Sequence, residues 1–258
     1  MTSIRRIRWV VIATMAAVAL TGTVLPTAAA SPGHGGDWVA SWAASPVVGS
    51  DVPGSTCPAG TGLTNQTVRN VLFLSAGGDR VRVRLSNTFG TQPMSIGHAS
   101  VAVQAANADA VRGTVRELTF HGRRAVRIPA GAQEFSDPVG LRVAALSTLL
   151  VSVYVAGPTG PVTNHPFTAQ GNFLATGDAS LATTGSAYQG TPCWMFADGV
   201  DVTGSPRVTG SVVAFGDSIT DTANTTGNAN RRWPDFLARR LNAVHGRTLS
   251  VVNAGLGG

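Results

Sequence analysis

The chain has 258 residues, and its 19 basic residues are all arginine against 13 acidic ones, a formal net charge of +6. So mild a surplus does not imply a nucleic-acid partner, and two cysteines with no histidine cluster near them do not imply a metal site. The opening stretch has the pattern of a leader. Arg5, Arg6 and Arg8 form a positively charged start, residues 9–20 make an apolar core, and Ala28-Ala29-Ala30 offers a small-residue cleavage site. Thr21, Gly22 and Pro26 interrupt the apolar run short of the ~20 residues that a membrane span needs. Residues 1–30 are therefore expected to be a secretory signal peptide. Its three arginines leave with it, which lowers the net charge from +6 to +3 and predicts a secreted, extracellular protein with no membrane span.

From residue 37 to residue 203 the pattern has period two. Arg80-Val81-Arg82-Val83-Arg84-Leu85 alternates strictly, so Val81, Val83 and Leu85 are expected to face a core and the three arginines a solvated sheet face. The Gly77-Gly78-Asp79 signal before it predicts a hairpin with the preceding run, residues 68–75. Further strands are predicted at residues 100–104, 115–120, 125–128, 139–143 and 149–155, separated by turn signals such as His121-Gly122 and Pro129-Ala130-Gly131. Many short strands with no convincing helix predict an all-β sandwich or jelly-roll-like domain over residues 37–203, long enough to hold its own core. Trp38, Trp42 and Trp194 fit either that core or a sugar-stacking platform, the core being the commoner place for tryptophan in such a fold. Cys57 and Cys193, in a chain bound for an oxidising compartment, are expected to form a disulfide.

Gly204-Ser205-Pro206 marks a junction to a different pattern. Residues 211–218 are a short apolar run that stops at Gly216 and displays Ser218: a buried strand, a sharp turn and an exposed hydroxyl. Residues 231–245 place Trp233, Phe236, Leu237, Leu241 and Val244 on one stripe of a helix, with Pro234 in its first turn and Gly246 at its stop. Residues 249–252 are a second β-branched run that empties into a Gly-rich turn at residues 253–258. A strand–helix–strand unit favours parallel neighbours whose C-terminal ends open on one edge, which brings Ser218 close to the terminal glycines.

Three of these segments together resemble the SGNH, or GDSL-type, serine ester hydrolases. They are Phe215-Gly216-Asp217-Ser218-Ile219-Thr220-Asp221, then Trp233-Pro234, then Val251-Val252-Asn253-Ala254-Gly255-Leu256-Gly257-Gly258, in that order within about fifty residues. Thr222 departs from the pattern, since a glycine often follows the Asp. The stretches at residues 37–45 and 85–90 are similar to the β-domain that precedes the hydrolase domain in a branch of secreted bacterial members. The resemblance implies that residues 207–258 are the first β-α-β unit of an α/β three-layer, flavodoxin-like hydrolase domain.

It also implies a division of chemical labour. Ser218 corresponds to the nucleophile and lends its own N–H to the oxyanion hole; Gly258 corresponds to the second oxyanion donor, with Gly257 as the fallback. The family's Asn on a later loop, and its Asp and His three residues apart near the C-terminus, have no counterpart in the chain as given. The chain is therefore expected to be a fragment, and as written not a competent esterase. His34, His98, His121, His165 and His245 do not stand where the family places its base, and His245 is suited to the carbonyl end of its own helix. Asp217 adjoins the nucleophile, but nothing assigns it the triad carboxylate's role. The substrate implied is an ester of a small molecule, a lipid or an acylated polysaccharide, with no metal or organic cofactor. A reading from another class is a secreted β-sandwich carbohydrate-binding or surface module with a vestigial, inactive hydrolase tail.

Overall fold

In the computed structural model, which describes residues 38–51, 56–203 and 205–257, the protein is mostly β-sheet with few helices. In chain order the elements are β1 (Val39–Ala43), β2 (Gln66–Phe73), β3 (Gly78–Ser86), β4 (Met94–Ala106), β5 (Asp109–Ala110), β6 (Arg116–Glu117), β7 (Val126–Ile128), β8 (Gln133–Phe135), β9 (Val139–Val143), β10 (Thr148–Val155), β11 (Asn164–His165), β12 (Asn172–Thr176), β13 (Gln189–Thr191), β14 (Trp194–Met195), β15 (Ala197–Thr203), β16 (Val208–Gly216), α1 (Ser218–Asp221), α2 (Trp233–Ala243) and β17 (Thr248–Gly255). The leader expected over residues 1–30, His34 and the oxyanion candidate Gly258 lie outside the described residues.

Two antiparallel sheets share one apolar core. One runs β1-β15-β3-β8 with β9 also on β3, and the other runs β13-β12-β2-β10-β4-β5 with β6 and β7 also on β4. The period-two runs decide the facing: Val81, Val83 and Leu85 from one sheet and Val68, Leu72, Val151 and Val153 from the other are all fully buried in the same cluster. A smaller cluster of Val71, Ala102, Ala110 and Leu150 covers the opposite face of the larger sheet. On the outer face of β3, Arg82 pairs with Asp201 and Arg84 with Asp198, each at 2.7 Å, across to β15. Arg82 also lies over the rings of Trp38 and Phe135, at 4.6 and 4.4 Å. The arginine face is thus a cross-strand ion-pair ladder rather than a freely solvated row.

The hairpin predicted at Gly77-Gly78 does not form. β2 pairs with β10 and β12, β3 pairs with β15, β8 and β9, and the two belong to different sheets. The tight two-residue turns need left-handed backbone, and neither Gly77 nor Gly78 has a positive φ. These glycines serve close approach instead: a Cβ on Gly77 would stand 2.6 Å from the Ala145 nitrogen and the Val143 oxygen, where the chain crosses from one sheet to the other.

Cys57 and Cys193 are joined in a disulfide that spans 136 residues. It ties the segment before β2 to the residue ahead of β14. Trp194 follows at once, with its indole N–H donating to the Val71 carbonyl at 2.9 Å and its ring edge-on to Trp42 at 5.2 Å.

Beyond β15 the chemistry of the chain changes from alternating strands to a parallel pair. β16 runs parallel to β17, in register from Ser211 opposite Ser250 to Gly216 opposite Gly255, and α1 and α2 lie between them in sequence. This pair packs against β1, and short polar side chains make the join. Ser250 Oγ donates to the Ala40 carbonyl at 2.6 Å, Ser211 Oγ to the same carbonyl at 3.2 Å, and the Val251 N–H to Ser75 Oγ at 3.0 Å. Asn242 on α2 donates to the Ser75 carbonyl at 2.8 Å.

The helix lies within the predicted 231–245 but is two residues shorter at each end, and its predicted apolar stripe is turned largely outward. Trp233 and Phe236 are 44% and 48% exposed, while the residues buried on α2 are Pro234 and Ala238. Small residues at i and i+4 let the helix lie close on the β17 side; on the parallel strands Val213, Phe215 and Leu249 are likewise exposed. Val251 and Val252, by contrast, are buried. At and just beyond its C-cap, Arg207 donates to the Val244 and Gly246 carbonyls at 2.5 and 3.0 Å.

Candidate active site

The site forms where the parallel pair ends. β16 stops at Gly216, whose missing side chain matters because a Cβ there would meet Thr220 Oγ1 at 2.3 Å. Asp217 caps α1, its carboxylate accepting the Ile219 N–H at 2.9 Å, which satisfies one of the free donors of a helix start. Asp217 is thereby given a capping role. Ser218 opens α1 half-exposed, and among the described residues neither its hydroxyl nor its N–H makes a hydrogen bond.

β17 delivers its glycines against the same short helix. A Cβ on Gly255 would stand 2.6 Å from the Asp221 nitrogen and 2.9 Å from its Cα, so only glycine lets the two segments touch. A Cβ on Gly257 would lie 3.9 Å from the Ser218 Cβ, which sets that glycine beside the serine. The Gly257 N–H donates to Asp221 Oδ2 at 3.1 Å. In this arrangement the amide is engaged by a carboxylate and does not point freely at a substrate.

Asn253, on β17, completes the clamp. Its amide donates to the Thr220 carbonyl at 2.9 Å, and its oxygen accepts the Gly255 N–H at 2.8 Å. From α2 the Trp233 indole N–H reaches Thr220 Oγ1 at 3.3 Å. Four residues of helix are thus held from both neighbouring elements, which compensates for a helix too short to be stable by itself.

The third side of the clamp is one that sequence reasoning missed. His165, on β11 of the β-rich part, meets Asp221 on α1: Nε2 stands 3.0 Å from Oδ1, with the two side chains only 3% and 4% exposed. Nδ1 of the same ring stands 2.7 Å from the Ser45 carbonyl. Trp194 lies over the ring at 5.4 Å. The two residues are 56 apart in sequence, and the only local signals are a histidine beside Pro166 and an Asp three residues after the serine.

Behind this contact is a small cavity of about 30 Å³, lined by Trp42, His165, Trp194, Asp221, Arg232 and Asp235 among others, and Ser218 does not reach it. It is the polar underside of the site rather than a substrate pocket, which needs a few hundred Å³. Burial raises the Asp235 carboxyl above its ordinary value, against the pull of Arg232, whose N–H it accepts at 2.9 Å.

The remaining histidines are placed elsewhere. His98 contacts Asp178 and stacks on Tyr154, and His121 meets Glu134 at 3.1 Å; none of these groups approaches Ser218. Burial works to raise the Asp178 carboxyl, but the bonds from Ser180 and His98 outweigh it and hold the group below its ordinary value. Trp42 and Trp194 are buried at 7% and 5% exposure, packed on each other, so they form no sugar-stacking platform.

Residues 212–258 match the family model of GDSL-like lipases and acylhydrolases. That match covers β17, both helices and the C-terminal half of β16, the segment built around Ser218. No curated protein matches the chain. A solved structure described as a family two carbohydrate esterase from Cellvibrio japonicus is similar at 11% identity with a TM-score of 0.19, over 87% of this chain and 53% of that one. The chain spans about half the length of that structure, and a likeness so distant bears on neither fold nor function.

Proposed function

We propose that the protein is an exported hydrolase of carboxylic esters and that Ser218 is its nucleophile. The observation that carries the reading is the placement of Ser218. It stands at the C-terminal end of a parallel strand, on a Gly-Asp-Ser turn, with an unengaged hydroxyl beside Gly257, inside the segment that matches the GDSL-like family. The C-terminal edge of a parallel sheet is where α/β folds gather their ligands.

In this reading Ser218 Oγ attacks the ester carbonyl, its proton passes to a general base, and the carbonyl oxygen becomes an oxyanion met by the Ser218 N–H. The base returns that proton to the departing alcohol; water then gives a proton to the base as it attacks the acyl-serine, and the acid leaves as Ser218 recovers its proton. Among the described residues the imidazoles of His98, His121 and His165 are bonded to other partners than Ser218, and the reading names no base. A short acyl or lipid ester, or an acetyl group on a polysaccharide, is the substrate class.

The test is hydrolysis of p-nitrophenyl acetate and longer acyl esters by protein from its natural source and by its Ser218→Ala variant. A fall in kcat/KM of about a thousandfold or more is the expected result for removal of a nucleophile. Activity that survives the substitution sinks the reading.

A further inference from the structure

We propose that His165 is a positioning residue of the Ser218 site, acting as a buried imidazolium that fixes Asp221 and, through it, the glycine segment beside the nucleophile. The inference rests on the reading of Ser218 as the nucleophile for its catalytic consequence, but not for its structural part.

The protonation state follows from the two contacts of the ring. Nδ1 faces the Ser45 carbonyl oxygen at 2.7 Å and Nε2 faces a carboxylate oxygen at 3.0 Å. Both partners only accept, so both ring nitrogens must donate, and only the imidazolium carries two N–H groups. A neutral ring would set one lone pair against an oxygen in a site from which water is nearly excluded, an arrangement that is costly when buried.

The charge is matched across the contact. Asp221, on α1, is the acid that faces the ring; Arg232 and Asp235, at the start of α2, line the cavity beside it and pair with each other at 3.6 Å. Trp194, from β14, closes the remaining face, with Arg232 over its ring at 5.5 Å.

The consequence reaches the nucleophile in two bonds. His165 holds Oδ1 of Asp221; Oδ2 of the same carboxylate holds the Gly257 N–H, and Gly257 lies against Ser218. Asp221 is also the last residue of the helix that Ser218 begins. The β-rich part of the chain therefore supplies a member of the active-site architecture rather than only a neighbouring body. Loss of the ring proton leaves one N–H for two acceptors, so the ring can no longer bridge Ser45 and Asp221; the hold on Asp221 should loosen, the Gly257 segment gain freedom and turnover fall without a change in the substrate contacts.

The experiment begins with nitrogen-15 NMR of the imidazole rings in the full chain. The expected result is a His165 ring with protons on both nitrogens at neutral pH, and a Gly257 amide resonance that shifts with the same midpoint as the ring when the pH is raised. A ring with one bare nitrogen, or a Gly257 amide indifferent to it, overturns the proposal.

In protein from its natural source, kcat for ester hydrolysis should fall on the alkaline side with that midpoint. His165→Gln, which keeps a donor for Asp221 but does not titrate, should remove this limb, lower kcat by about tenfold to a hundredfold and leave KM within about twofold. A pH profile unchanged in His165→Gln refutes the positioning role. If hydrolysis proves independent of Ser218, the functional reading fails while the ring and amide measurements still decide the proposal.

Discussion

Opening the Cys57–Cys193 bond is the perturbation whose size is most directly worked out. The two cysteines are 136 residues apart and nearly fully buried, at 3% and 0% exposure. In the chain-entropy model, closing a loop of that length removes unfolded-state freedom worth about 5 kcal/mol. Residual structure in the unfolded chain reduces the figure, so a loss of about 3–5 kcal/mol is expected. For a protein of this size that corresponds to a fall in Tm of roughly 6–20 °C, or a urea midpoint lower by about 2 M. The assay is urea unfolding of the oxidised protein, the reduced protein and a Cys57→Ala/Cys193→Ala variant. The reduced protein loses the cross-link without losing sulfur volume, so it isolates the loop effect. Because Trp194 follows Cys193 directly and packs on Trp42 and His165, near-UV circular dichroism of the reduced protein should weaken before global unfolding. A midpoint shift below about 0.5 M at unchanged slope would refute the entropic argument.

Three other outcomes follow from the geometry. Gly255→Ala places a Cβ 2.6 Å from the Asp221 nitrogen, backbone that cannot swing aside, and should cost about 1–3 kcal/mol by thermal unfolding; Gly140→Ala, which meets nothing within 4 Å, should stay within about 0.5 kcal/mol. Arg69 is 2% exposed and donates to the Ala108 and Ala182 carbonyls at 2.6 and 2.7 Å, so Arg69→Met leaves one buried and one part-buried acceptor without this donor and should cost roughly 1–4 kcal/mol by urea unfolding. Burial raises the folded-state pKa of Asp235, so the stability linked to its proton is present below the ordinary value of 3.8 and lost as pH rises through the folded-state value. Asp235→Asn should therefore gain stability relative to the native protein between pH 3.5 and pH 7, and a relative loss over that window would contradict the assignment.

The parts of the fold that depend on local pattern were legible in the sequence. Arg80 to Leu85 has one register that buries three apolar side chains, and the structure adopts it. Pro234 marks the first turn of α2, and Gly246, at φ 85°, turns the chain two residues past the C-cap Val244. What was not legible depends on long-range competition. Gly77-Gly78 carries a hairpin signal, but the glycines are needed where the chain squeezes past Val143 and Ala145, a demand that no local window contains. The α2 stripe marks an apolar face without saying which neighbour takes which face, and Ala238 won the contact over Trp233 because a small residue lets β17 come closer. The Gly-Asp-Ser turn was visible in Gly216 to Ser218. The partner of Asp221 was not, because His165 arrives from a strand of a different sheet and only the tertiary fold brings them within 3.0 Å.

The most direct test of the Ser218 assignment is labelling of protein from its natural source with a fluorophosphonate, followed by mass mapping of the adduct. The account predicts one modified serine, Ser218, with labelling slowed while an excess of ester substrate is present. A protein that hydrolyses esters while its adduct maps to another residue, or to none, would contradict it.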